Sequence, residues 1–264
     1  MNHEWYVYVL LVLASLFAGF VNTLTGSGSL VTMSALLFAG LPAHAANATN
    51  RLGVLLQSLV GTIAFYKNNK FDYRTSTWFI VPSVIGAIAG AWLAVDIDEQ
   101  TLETCIGLTM LALLFVVVIK PEKWLRTQSE AHHHRTLLNL LIFLGVGFYG
   151  GFLQAGVGIL LLVALVLGAK YTLKESNALK VMIVFLFTIP ALAVFIFSGQ
   201  IDWILGSIMA AAQSIGAWVA AHFANNHPKA NLWVRRMLIA VILVSVVQLL
   251  HIVEWIQKLI AILN

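Results

Sequence analysis

Five consecutive residues, Thr25-Gly26-Ser27-Gly28-Ser29, interrupt an apolar run that extends from Trp5 to Leu41, and a plainer break, Gln154-Ala155-Gly156-Val157-Gly158, interrupts a later run. Glycine opens backbone conformations that other residues avoid, and a helix restarting after it presents bare amide N–H groups. Such amides, at the positive end of a helix dipole, form an anion site. Thr25, Ser27 and Ser29 add hydroxyl donors to the first break, and Gln154 adds an amide to the second. Asn22 matches Gln154 when Gly19-Phe20 is aligned with Gly151-Phe152. Gly26, Gly28, Gly156 and Gly158 complete this first set of candidate substrate-binding residues. Broken apolar segments at matching places in two halves of a chain point to a transport site near the bilayer midplane.

A second constellation is Asn47-Ala48-Thr49-Asn50-Arg51, matched by Asn177-Ala178-Leu179-Lys180. Helices beginning at Pro42 and Thr172 would carry Arg51 and Lys180 about 12 to 14 Å inward, at 1.5 Å per residue. A charge held at that depth is costly and is read as functional, here as a cationic partner for an anion. Asn47, Asn50 and Asn177 would position it with donors and acceptors. All eleven acidic residues fall in loops or near segment ends, so no buried carboxylate relay is expected. Asp72 and Asp202 stand where they would cap the helices that follow. Ser27 and His222 raise an intramembrane serine hydrolase as a remote alternative, since a nucleophile needs a base within reach. His132-His133-His134 reads as a solvated loop and Cys105 as a small core residue; neither implies a metal or cofactor.

The elements that must carry these residues are membrane helices. Of 264 residues, 60% are hydrophobic and 10% charged, against about 25% charged in a soluble domain. Mean hydropathy is +0.91. Ten apolar stretches follow, most of them near the roughly 20 residues needed to cross a bilayer, with 29–41 and 157–168 short enough to be half-helices. A shift of 130 residues superposes Asn47-Ala48 on Asn177-Ala178, Phe65 on Phe195, Asp72 on Asp202, Gly86-Ala87 on Gly216-Ala217 and Leu102 on Leu232. The expected fold is therefore all-α: two repeats of about five helical segments, with about eight full spans plus broken or re-entrant half-helices. Residues 1–119 form the first transmembrane repeat, 120–136 a cytoplasmic linker and 137–264 the second repeat, together one transporter domain. Basic loops (Lys67, Lys70, Arg74; Lys120 to Arg135; Lys170, Lys174; Lys229 to Arg236) alternate with loops that lack basic residues, such as 96–103 and 198–202. Short basic loops stay cytoplasmic, so the N-terminus is expected outside, and five segments per repeat would invert the second half. The first segment lacks a basic flank and a small-residue cleavage site, so it is expected to remain in the mature chain. Gly86 and Gly90, with Gly216 and Ala220 at the matching places, form a small-residue stripe for packing within the protomer, or in a homodimer.

The run Ala18-Gly19-Phe20-Val21-Asn22, the glycine break, Gly40-Leu41-Pro42 and Ala46-Asn47-Ala48-Thr49-Asn50, repeated more weakly from Gly150 to Lys180, resembles the TauE/SafE family of sulfite exporters and toluene-sulfonate uptake permeases. The resemblance implies a multi-pass transporter of the bacterial cytoplasmic (inner) membrane for sulfite, organosulfonates or related sulfur-containing anions. It also implies a central site at Gly26, Ser27, Gly28, Gly156 and Gly158, with Asn47 to Asn50 beside it. Arg51 departs from the small or uncharged residue expected after Asn50, and Val157 and Ile159 stand where hydroxyl residues are expected. The function expected is secondary transport of a small anion by alternating access, with a proton or sodium as a coupling ion and an anion channel as the alternative. The partners are the anion and the lipid bilayer; nothing suggests nucleic acid.

Overall fold

The computed structural model describes residues 5–66, 73–118 and 136–223; the linker, the basic loop around Lys67, Asp72, the His triplet and the last segment of the second half lie outside them. The described residues are helical and contain no strand. In chain order the helices are α1 (Trp5–Thr25), α2 (Gly28–Phe38), α3 (Ala43–Tyr66), α4 (Tyr73–Asp96), α5 (Glu99–Val118), α6 (Leu137–Phe152), α7 (Val157–Val163), α8 (Leu173–Phe197) and α9 (Trp203–Phe223). A π-helical turn, Ala164–Gly168, continues α7.

Local chemistry sets several of these boundaries. Thr172 and Glu175 form a capping box at the start of α8, satisfying two backbone donors reciprocally. Asp202 accepts from the Leu205 amide at 2.9 Å and so caps α9, as expected of it. Asp98 takes the Thr101 amide and hydroxyl at the start of α5, and these bonds hold its exposed carboxyl below the usual carboxylate range. α3 starts at Ala43, directly after Pro42, whose missing N–H costs nothing in a first turn.

α1, α8, α9 and residues 76–96 of α4 are long and apolar enough to cross a membrane. α3, at 24 residues, has the length but a more polar composition, and α5 is 20 residues long. Each glycine break makes a hairpin. The first turns of α1 lie beside the end of α2, where Tyr6, Leu10, Phe38 and Ala39 line one groove. The Asn139 side chain at the start of α6 donates to the Gly168 carbonyl at the end of the π turn. Each broken segment therefore folds back on itself.

Packing between the halves is paired. Cβ atoms on Gly86 and Gly216 would collide with backbone of α6 and of α1 respectively, and Gly19 and Gly147 press against the backbone of Gln213 and Ser83. Gln213 is Ser83 plus 130, so these crossings match Gly19 with Gly147, an offset of 128. The alignment of Gly19-Phe20 on Gly151-Phe152 is thus displaced by one helical turn. Asn22 corresponds to Gly150, and Gln154 to Gly26; both of the latter pair have positive φ, at 60° and 81°. A local glycine match cannot choose between registers four residues apart when Gly147 and Gly151 both fit a crossing. The small-residue stripe is used inside the protomer.

Candidate functional site

The two breaks meet. A Cβ on Gly26 would strike the backbone of Gly158, and one on Gly158 would strike Gly26. Ser29 stitches the tips together, its hydroxyl donating to the Gln154 carbonyl at 3.2 Å and accepting from the Gly156 amide at 2.9 Å. The amide expected to face an anion at the second break is therefore taken by a serine of the first. Thr25 bonds to the Val21 carbonyl and to Ser27. Gly28 packs against Ala18 and Asn22. Contact between the tips leaves no room for a ligand between Gly26 and Gly158.

Arg51 and Lys180 are deep in the protein, not in wet loops, at 0% and 1% exposure. Arg51 donates to the Gly150 and Phe152 carbonyls at 3.2 Å, to the Gly151 carbonyl and to Asn47 Oδ1, and its guanidinium lies 4.2 Å from the centre of the Phe195 ring. Asn47 also donates to Phe152. Arg51 thus covers the carbonyl end of α6, where the helix dipole is negative and the last carbonyls lack partners. Lys180 does the same for α1, donating to Asn22 at 3.3 Å, Thr23 at 3.5 Å and Asn177 Oδ1 at 3.0 Å. Asn22 and Thr23 plus 128 are Gly150 and Gly151. The two cations therefore cap corresponding helix ends, each reaching across from the other half. Neither has a carboxylate partner among the described residues.

They differ in what lies beside them. Lys180 borders a small recess with a cavity volume of about 10 Å³, room for about one water, which Asn22, Ser29, Gln57, Ser58 and Gln154 line together with Val54, Val157, Val181 and Val184. Among the described residues, Oε1 of Gln57 and of Gln154 is buried without a partner, while Gln154 Nε2 donates to Thr188 at 2.7 Å. Of the expected site residues, the recess gathers Asn22, Ser29, Gln154, Gly158 and Lys180. Thr25, Gly26, Ser27, Gly28 and Gly156 belong to the adjoining tips, and Asn177 stands behind Lys180. Asn47, Asn50 and Arg51 face elsewhere; Asn50 Oδ1 accepts from Thr32 at 2.6 Å.

Gln57 and Ser58 were not expected. Their signal was present, since Gln57 lies seven residues after Asn50 on one face of α3, a polar pair in an apolar stretch. The offset of 130 turns Gln57 into Phe187, whose ring lies 2.7 Å from where a Gly150 Cβ would stand. Because Gly150 is the counterpart of Asn22, an aromatic ring occupies in the second half what is polar space in the first. Ser27 bonds to Thr25, and the His222 side chain lies outside the described residues, so the hydrolase reading gains nothing.

Residues 11–249 match the family described as sulfite exporter TauE/SafE. The chain belongs to the TauE/SafE family. It is similar to a probable membrane transporter protein, ORF9, of a Sinorhizobium species, at 25% identity covering 83% of this chain and 84% of that one. A probable membrane transporter protein of Haemophilus influenzae is 28% identical over 77% and 80%. The probable membrane transporter protein YfcA of Escherichia coli K12 is 26% identical over 91% and 88%. No solved structure matches. The chain is a multi-pass membrane transporter.

Proposed function

We propose that this TauE/SafE transporter moves a small sulfur-containing oxyanion, sulfite or an organosulfonate, through the recess at Lys180. One observation carries the reading: a buried ammonium, with no carboxylate partner among the described residues, borders a small recess where the two hairpin tips meet. The family description, sulfite exporter, supports the substrate class. The tips in backbone contact favour alternating access over an open channel, because no pore runs between Gly26 and Gly158 in this state.

In this mechanism the halves, joined by the 120–136 linker, enter the bacterial cytoplasmic membrane from opposite faces and rock about the tips. The N-terminus is outside, as the basic loops require. An inside-negative potential drives anion export by about 2.3 kcal/mol per charge per 100 mV. In liposomes, Lys180→Ala at normal protein levels is expected to lose sulfite counterflow at least tenfold, while Ser214→Ala, on α9 with its hydroxyl bonded to its own helix, retains it. Undiminished flux in Lys180→Ala would remove the recess from the transport path.

A further inference from the structure

We infer that Gln57 makes the recess selective for singly charged anions that also carry a hydrogen-bond donor. The inference rests on the recess being the transport site. Among the described residues, Lys180 is the one cation lining it, Arg51 being committed to the α6 carbonyls and the Phe195 ring. One ammonium balances one negative charge; a dianion would leave a charge uncompensated in a buried place, which is costly.

The rest of the lining asks for more than an anion can give. Gln57 is 3% exposed and its Oε1 is buried with no partner among the described residues, as is Gln154 Oε1. Burying an amide group unpaired costs about 1–3 kcal/mol, so the group is held for something that arrives. An amide carries both a donor and an acceptor. A bare sulfonate, which only accepts, would use the donor and leave the acceptor empty. An anion with a hydroxyl, amino or acidic proton would use both. Ser58 contributes little to this choice, because its hydroxyl already bonds to the Val54 and Leu55 carbonyls of its own helix. At the counterpart of Gln57 stands Phe187, so the second half offers no equivalent reader. Sites built to pair a ligand's polar group discriminate strongly against analogues lacking it.

The test is equilibrium binding to the full chain in detergent, using ethanesulfonate and 2-hydroxyethanesulfonate, which differ by one hydroxyl, with sulfate as a dianion. The wild-type chain is expected to bind the hydroxylated anion about tenfold more tightly than ethanesulfonate, and sulfate more weakly than either. Gln57→Leu is expected to bring the ratio near one by weakening the hydroxylated anion more than ethanesulfonate; Gln57→Met serves if Gln57→Leu does not fold. Lys180→Met is expected to lose both sulfonates. A wild-type ratio near one, a ratio unchanged in the Gln57 variants, or tighter sulfate binding overturns the inference and leaves the transport site standing. Unaltered binding in Lys180→Met, or no binding to the wild-type chain, overturns the site itself.

Discussion

Arg51 and Lys180 reach corresponding carbonyls from positions that do not correspond, since Lys180 minus 130 is Asn50. A long flexible stem makes this tolerable: one residue of register along α3 or α8 is taken up by the side chain. Their depth was legible from Pro42 and Thr172, which fixed the helix starts; their partners were not, because no local pattern reveals which distant helix end needs a cation. Arg51 spans three carbonyls and an aromatic ring, a geometry that the planar guanidinium matches and an ammonium does not. Arg51→Ala leaves those acceptors buried and unpaired, at about 1–3 kcal/mol each. The expected result is a loss of thermal stability in detergent that Arg51→Lys restores only in part. Full restoration by lysine would mean that charge alone is needed.

The elements were read more securely than their register. Apolar length located all nine helices among the described residues, and the breaks gave the hairpins, yet the α1 to α6 offset came out four residues wrong and the π turn at Ala164–Gly168 went unseen. Both depend on contacts between helices, since a crossing chooses among glycines by what lies opposite them. α6 allows a matched comparison: a Cβ on Gly147 would collide with the Ser83 backbone, whereas one on Gly145 meets nothing within 4 Å. Overpacking a tight contact costs about 1–3 kcal/mol. Gly147→Leu is therefore expected to lower the melting temperature by several degrees and to reduce flux, and Gly145→Leu to leave both nearly unchanged. Equal effects would show that glycine itself, through helix propensity, matters and the crossing does not.

At the scale of the whole molecule, chemical inequality is laid over paired packing. Among the described residues the crossings, caps and hairpin tips come in twos, but the recess lined by Asn22 and Gln57 has Phe187 at the counterpart of Gln57 and packed against Gly150, the counterpart of Asn22. A frame related by two-fold symmetry can present one site to each side in turn, while the unequal walls let that site recognise a single ligand orientation. This requires the halves to be inverted. The Glu99 carboxylate beside the Ala43 amide places the starts of α3 and α5 on one face, and the bond from Asn139 to Gly168 places the start of α6 and the end of the second hairpin together. Inversion puts these two places on opposite faces. With Cys105 replaced by alanine, Gln100→Cys is expected to react with an impermeant maleimide in intact cells, and Thr136→Cys only after the membrane is opened. Both positions are exposed, so a failure to label reports the membrane and not burial. Labelling of both from outside would abolish the inverted arrangement and leave the paired crossings as a feature of packing alone.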